Sequence, residues 1–179
     1  AQELECNFNT SGDTVIHPDD LGRINQSIKD PEYRVGHDRN FWIWEKYDEN
    51  FSYLMVGDVA RGDGSDSSTF QIIKLETMEV VAEYQGKPSL DMYSNILYQT
   101  GHEYGKCLLV VENNGIGISV LEKLIDLGYP NLYYSIKGTH EYVESHVGES
   151  NDRALPGFTT STKTRPLIVA KLEEFVRNR

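Results

Sequence analysis

The 179-residue sequence is poor in basic residues and cysteines and contains no long apolar run. Its 17 Lys and Arg against 28 Asp and Glu give a net charge of −11, which argues against simple electrostatic docking onto nucleic acid or an anionic membrane. No apolar stretch reaches about 18 residues, so the sequence predicts no membrane-spanning helix. Two cysteines, Cys6 and Cys107, favour reduced thiols in a cytosolic setting over a disulfide scaffold.

The negative charge is unevenly distributed along the chain. Residues 1–136 contain 10 basic and 22 acidic side chains, whereas residues 137–179 contain 7 basic and 6 acidic ones. A contact with a polyanion should therefore favour the last quarter of the sequence.

Two common ion- and phosphate-binding motifs are missing from the sequence. The stretch MVGDVARGDGSDSSTF, residues 55–70, holds three aspartates, but the third position from Asp58 is Ala60 and from Asp63 is Ser65, so no EF-hand calcium loop fits. The phosphate-binding pattern G-x-x-x-x-G-K-[ST] is absent as well. An actin-like or sugar-kinase fold would need a second, duplicated domain, for which the chain is too short.

The order of apolar and polar segments predicts an α/β domain. Aromatic and β-branched runs predict strands at 41–44, 53–59 and, as a hairpin, within 68–86, and the continuous apolar run 108–111 predicts a strand buried on both faces. Apolar spacing predicts helices after Pro88, over 116–127 and from Thr164, the last with Ile168, Leu172 and Phe175 on a core-facing stripe. Residues 131–136 predict a short strand, and 137–157 a mobile loop or exposed hairpin. We therefore expect a mixed sheet with helices packed on it.

Two acidic residues close predicted core strands. Asp58 ends the first apolar strand and Glu112 ends the buried strand. If those strands are parallel neighbours, both carboxylates project into one crevice, where they could share Mg²⁺ with substrate phosphate oxygens. Two such ions, about 4 Å apart, can activate water for phosphodiester hydrolysis. The alternative is that each acid forms a turn or caps a helix.

Three runs together resemble a known family. YLMVGDVARGDGSDSSTFQII, LLVVENNGIG and GFTTSTKTRPLIVAKLEEFV are similar, in order and spacing, to the nuclease domain of the large terminase subunit of T4-like tailed bacteriophages. The resemblance covers nearly the whole chain. It implies a ribonuclease H-like fold, a mixed β-sheet flanked by helices, and a metal-dependent endonuclease that cuts concatemeric viral DNA.

The resemblance also implies roles for individual residues. Asp58 matches the first catalytic aspartate, Glu112 the catalytic glutamate and Asp66 an accessory acid in the same loop; Asp58 and Glu112 would bind Mg²⁺ or Mn²⁺ in a two-metal site. The implied partners are double-stranded DNA, the ATPase domain of the same polypeptide, the portal and the small terminase subunit. The implied location is the cytoplasm of the infected bacterial host, with no membrane partner.

The sequence departs from the family pattern in two ways. The third catalytic aspartate lies in a motif beyond the helix at which the sequence stops, and the motor's phosphate-binding loop is missing. We therefore expect residues 1–50 to be an irregular lead-in from an absent ATPase domain, and residues 51–179 to be a nuclease domain truncated before its last acidic motif. Such a fragment should cut weakly or not at all. The acids Asp63, Glu141, Glu144 and Asp152 are poor replacements for the missing ligand.

The segment TSTKTRP places Lys163 and Arg165 at the start of the last helix, where free N–H groups and the helix dipole favour anions. Contact with DNA phosphates is one interpretation. Capping of the helix by Thr164 explains the hydroxyl groups equally well. A second function also stays open, a non-catalytic ribonuclease H-like docking module for a packaging motor or portal.

Overall fold

A computed structural model describes residues 15–61, 64–139 and 141–178. They form two units, one of residues 31–160 and one of residues 15–30 with 161–178. The sequence predictions for Cys6 and Asp63 lie outside the described residues. None of the helices in the described ranges is long and apolar enough to cross a membrane.

The unit of residues 31–160 is built on a six-stranded mixed sheet. Its strands are β1 (Tyr33–Val35), β2 (Phe41–Ile43), β3 (Tyr53–Asp58), β4 (Ser68–Lys74), β5 (Glu79–Gly86) and β6 (Leu108–Val111). The order across the sheet is β1-β2-β5-β4-β3-β6. All neighbours are antiparallel except β3 and β6, which are parallel. The predicted strand after residue 53 and the predicted hairpin are confirmed.

Helices α2 (Leu90–Glu103) and α3 (Gly117–Asp126) provide the apolar cover of this sheet. Side chains alternate along β4, so every second residue from Ser68 to Lys74 is buried. The buried residues of β3, β4 and β6 form one core cluster with Tyr93 and Leu97 of α2 and with Val120 and Leu124 of α3. The predicted amphipathic helix after Pro88 is therefore confirmed, and its apolar stripe faces the core.

A second, three-stranded sheet follows α3. It consists of β7 (Tyr134–Ile136), β8 (Tyr142–Val143) and β9 (Ala154–Pro156) in the order β8-β7-β9, with the single-turn helix α4 (Ser145–Gly148) between β8 and β9. Two single parallel bridges connect residues next to this sheet with β6 and with the residue that follows it. They join Leu109 to Leu132 and Glu112 to Phe158. The prediction of a loop or simple hairpin over 137–157 is thus too simple. Strands of two or three residues give little periodic signal, because they are shorter than the window that periodicity needs.

Strands β1 and β2 lie within residues 1–50, which the sequence predicted as an irregular lead-in, and so does helix α1 (Pro18–Ser27). The strand predicted at 41–44 is confirmed as β2. Strand β1 was not predicted, because three residues are fewer than the window that periodicity needs. Strand β2 pairs with β5 and β1 pairs with β2, so both belong to the main sheet. The proposed boundary with a motor domain stays a prediction.

The other unit contains α1 and the last helix, α5 (Thr164–Arg177). The helix prediction is confirmed, but the prediction that its apolar stripe belongs to the core is wrong. Ile168, Leu172 and Phe175 are 45%, 49% and 39% exposed. Helical spacing determines which residues share a face, but not whether another element covers that face.

Candidate active site

The two predicted catalytic acids lie side by side. The parallel register of β3 and β6 pairs Gly57 with Val111, and the Glu112 N–H donates to the Gly57 carbonyl at 3.4 Å. The next residues in the two strands, Asp58 and Glu112, therefore occupy adjacent positions. Because Gly57 and Val111 are buried against the core and side chains alternate, both carboxylates belong to the opposite face. A shared crevice is conditional on parallel, neighbouring strands, and the structure meets that condition.

Asp58 is exposed, and the structure beneath it is tightly packed. Its Oδ1 accepts a hydrogen bond from the Val59 N–H at 2.9 Å, which fixes the carboxylate against the backbone. A Cβ at Gly57 would lie 3.1 Å from the Tyr93 hydroxyl oxygen, so glycine lets α2 approach the strand closely. Tyr93 donates to the Thr69 carbonyl at 2.5 Å. Burial, with a further contribution from the Asp58 charge, raises the pKa of Tyr93, so this hydroxyl stays a protonated donor.

Glu112 is partly buried and is held by a neighbouring amide. The side-chain Nδ2 of Asn114 donates to Glu112 Oε1 at 2.9 Å and to the Thr160 carbonyl at 2.9 Å. The start of α3 also approaches closely, because a Cβ at Gly117 would lie 1.9 Å from the Glu112 carbonyl oxygen. The sequence predictions missed both Asn114 and Gly117. Their signal is the run ENNGIG directly after a buried strand, in which an amide and a glycine follow the acid.

The loop between β3 and β4 carries the predicted accessory acid. Buried Ser68 closes this loop, since its hydroxyl accepts from the Ala60 N–H at 3.0 Å, and Lys87 Nζ donates to the Gly64 carbonyl at 2.9 Å. Asp66 is exposed and accepts from the Ser65 hydroxyl at 3.3 Å. Its catalytic role stays a prediction. Within residues 15–61, 64–139 and 141–178, no group of three or more His, Cys, Asp and Glu side chains converges as a metal site.

The two candidate site residues at this edge of the sheet are both negatively charged. In the part of the chain that the structure describes, neither Asp58 nor Glu112 forms an ion pair with Lys, Arg or His. Two adjacent carboxylates repel one another unless a cation lies between them. Their oxygen donors fit Mg²⁺ or Mn²⁺, which take carboxylate oxygens and complete their coordination with water or phosphate oxygens.

The predicted DNA-contacting residues belong to the other unit. Lys163 and Arg165 are exposed at the start of α5. Thr164 is the first helical residue, whereas the sequence predicted it as the residue before the helix. Its hydroxyl still takes part in capping, together with that of Ser161. The Ser161 hydroxyl accepts from the N–H groups of Lys163 and Thr164, and the Thr164 hydroxyl accepts from the Ser161 N–H at 2.8 Å. This reciprocal capping box explains the hydroxyl groups. DNA contact by Lys163 and Arg165 stays a prediction.

The fold is similar to that of solved viral nucleases. No protein-family model matches the sequence, and no curated protein is significantly similar to it. One similar structure is the large terminase nuclease from thermophilic phage G20c with bound magnesium, with a TM-score of 0.62 and 16% identity over 84% of this chain and 66% of that chain. The same nuclease with bound cobalt gives a TM-score of 0.61 and 16% identity over 84% and 65%.

The chain spans slightly less than two-thirds of the length of the G20c nuclease chains. At this level of identity the likeness concerns the fold. The predicted fold class is confirmed: the chain has the ribonuclease H-like α/β fold of large terminase nuclease domains.

Proposed function

We propose that this chain is the nuclease domain of a viral DNA-packaging terminase, an endonuclease that cuts concatemeric double-stranded DNA with the help of Mg²⁺ or Mn²⁺. The observation that carries the proposal is the pairing of Asp58 and Glu112 at adjacent positions of parallel strands, in a fold shared with terminase nucleases. Fold alone would not assign an activity, because one fold hosts many functions. The two carboxylates at the end of these strands supply the chemical reason.

Each residue has a stated part in the proposed reaction. Asp58 and Glu112 bind the divalent cation, which when bound polarises the phosphoryl group and lowers the pKa of a bound water. The Val59 N–H orients the Asp58 carboxylate. Exposure of Asp58 keeps this edge of the sheet accessible to a duplex. Asp66 is proposed as an accessory acid, and Lys163 and Arg165 as contacts to DNA phosphates.

The net charge of −11 is compatible with a DNA substrate. Bound cations reverse the local charge at the site, and a motor that holds DNA nearby raises its effective concentration. In this proposal the ATPase domain belongs to the same polypeptide and works with the portal and the small terminase subunit in the host cytoplasm. The sequence runs favour the T4-like branch of the family.

The family pattern assigns a third aspartate to a motif after α5. With Asp58 and Glu112 alone, the 179-residue chain should bind Mg²⁺ only weakly, because Mg²⁺ gives up its water reluctantly and binds best where several charged ligands compensate. We therefore place the full two-metal site in a chain extended through that motif.

The test is cleavage of plasmid DNA with Mg²⁺ or Mn²⁺ by the chain extended through the third acidic motif. Asp58→Asn should reduce nicking and linearisation by at least about 10²-fold, because loss of a metal ligand leaves transition-state charge unneutralised. Glu112→Gln should have a comparable effect. Asp91→Asn is the matched control, since Asp91 is an exposed aspartate on α2. Wild-type cleavage rates in both site variants would contradict the proposal.

A second candidate is the non-catalytic docking module. The exposed apolar residues of α5 favour it, since Leu167 is 68% exposed and Leu172 49%. A Mn²⁺ titration separates the two candidates. A nuclease site binds Mn²⁺ in a manner that depends on Asp58, whereas a docking module does not require the cation.

A further inference from the structure

We infer that Asn114 is a positioning residue that orients the Glu112 carboxylate for its cation, an inference that rests on the proposed function. Its side-chain Nδ2 lies 2.9 Å from Glu112 Oε1 and 2.9 Å from the Thr160 carbonyl oxygen. Both partners are acceptors, so the amide must direct its NH₂ group towards them and use one hydrogen for each. Asn114 therefore bridges a carboxylate and a backbone carbonyl.

The backbone carbonyl is a fixed anchor because its segment is fastened along β6. The Phe158 N–H donates to the Val111 carbonyl at 2.9 Å, and the Asn113 N–H donates to the Phe158 carbonyl at 2.9 Å. Residues 156–160 thus run beside residues 111–114, and we call this pair of segments the strap. The backbone hydrogen bonds of the strap fix the position of Thr160. Because Asn114 donates to both the Thr160 carbonyl and Glu112, the position of Glu112 is fixed relative to the strap.

The contact restricts the orientation of Glu112. A glutamate side chain has three rotatable bonds, and its freedom must be lost when it binds a cation. The hydrogen bond from Asn114 to Oε1 restricts the Glu112 side chain before any cation binds, and a cation would then be held by a carboxylate that is already oriented. Outer groups of this kind change metal affinity by about 10- to 100-fold when they are removed.

Asn113 provides a matched control for Asn114. It is the same residue type one position earlier, and its Nδ2 donates to the Pro156 carbonyl at 3.0 Å while its Oδ1 accepts from the Thr159 hydroxyl at 2.8 Å. These contacts serve the strap and do not involve Glu112. An effect of Asn113→Ala therefore measures loosening of the strap, and the additional effect of Asn114→Ala measures the contact with Glu112.

The first arm of the test is Mn²⁺ affinity, measured by electron paramagnetic resonance on the chain extended through the third acidic motif and on its variants. Asn114→Ala should weaken binding by about 10-fold or more, and Asn113→Ala by no more than about 2-fold. Adding Asn114→Ala to a Glu112→Gln variant should cause no further weakening. Equal effects of the two asparagine variants, or a full effect of Asn114→Ala in the Glu112→Gln background, would overturn the inference.

The second arm needs neither metal nor activity. In the metal-free ¹⁵N-labelled chain, Glu112→Ala should shift the side-chain amide signals of Asn114 and leave those of Asn113 unchanged. Unchanged Asn114 signals would overturn the inference. If the unsubstituted chain extended through the third acidic motif bound no Mn²⁺, the proposed function and the metal role of Asn114 would fall together. If Glu112→Gln weakened binding and Asn114→Ala did not, only the inference would fall.

Discussion

The two ends of strands β3 and β4 differ in whether their charged side chains form ion pairs. At the end where Tyr53 pairs with Lys74, which we call the ion-pair end, the Lys74 ammonium contacts the Glu45 carboxylate. At the other end, the carboxylate end, Asp58 lies beside Glu112, and in the described residues neither forms an ion pair. The charged side chain at one end is thus paired with an opposite charge, whereas the carboxylates at the other end are not.

At the ion-pair end, the charged and polar groups are paired with other groups of the protein. Lys74 is buried, and its ammonium lies 5.1 Å from the centre of the Phe51 ring as well as against Glu45. The Tyr104 hydroxyl donates to the Glu45 carbonyl at 2.9 Å. Contacts of this kind stabilise the fold. The carboxylate end has hydrogen bonds to Asp58 and Glu112 but no ion pair in the described residues. Adjacent like charges that cost stability are typical of functional sites.

The largest expected effect concerns the core that both ends share. Leu97 is fully buried on α2, and its Cδ2 would lie 3.6 Å from a Cβ at Gly57, next to Asp58. Leu97→Ala should lower the free energy of unfolding by about 2–5 kcal/mol, through lost burial and a new cavity. Leu172→Ala, at a 49% exposed position of α5, should change it by less than about 0.5 kcal/mol. Urea denaturation measures both, and equal losses would contradict the burial that separates them.

The next effect tests how closely α3 supports the carboxylate end. Gly117→Ala would place a Cβ 1.9 Å from the Glu112 carbonyl oxygen, so the helix start or Glu112 must move. We expect a loss of about 1–3 kcal/mol in the free energy of unfolding, together with weaker Mn²⁺ binding. The control is Gly22→Ala in α1, where a Cβ would meet no described atom within 4 Å. That change should stabilise the helix by about 0.5–1 kcal/mol.

A smaller effect compares the two ends directly. Lys74→Met removes the cation and leaves Glu45 unpaired, so the melting temperature should fall; the loss is limited because the Glu45 side chain is 49% exposed and water can solvate it. Asp58→Asn removes one of two like charges, so the melting temperature should stay the same or rise. Mn²⁺ should raise the melting temperature of Lys74→Met but not that of Asp58→Asn. A destabilising Asp58→Asn would show that Asp58 has a structural role.

Sequence patterns predicted the central fold well because its signals are strong and local. The apolar run that ends at Asp58 and the run 108–111 each have the length and composition of a core strand, whereas their parallel pairing is known only from the structure. Those two strands carry the candidate site, so its two principal residues could be predicted as well.

Other parts could not be predicted because they depend on partners distant in sequence. Asn114 contacts Thr160, which lies 46 residues away, and no local pattern indicates that contact. The stripe of α5 has correct helical spacing, yet Ile168 is 45% exposed, since burial depends on neighbouring elements. Strands β8 and β9 each pair with β7. The pairing of β7 with β9 joins residues that are separated in sequence by β8 and α4.

The smallest expected effect is a pH dependence at the ion-pair end. Glu76 accepts a hydrogen bond from the Ser52 N–H at 2.9 Å, and this bond lowers the pKa of Glu76 below its ordinary value of 4.5. A group with a lowered folded-state pKa stabilises the fold above its unfolded-state pKa, and the stabilisation is lost as the pH falls through the folded-state value. The contribution of Glu76 should therefore be complete at neutral pH and should disappear in acid. Glu76→Gln should lower stability slightly at neutral pH and have no effect below the folded-state pKa, as measured by urea denaturation at both pH values. An equal cost of Glu76→Gln at both pH values would mean that the ionised carboxylate contributes nothing and that the side chain acts only through its shape.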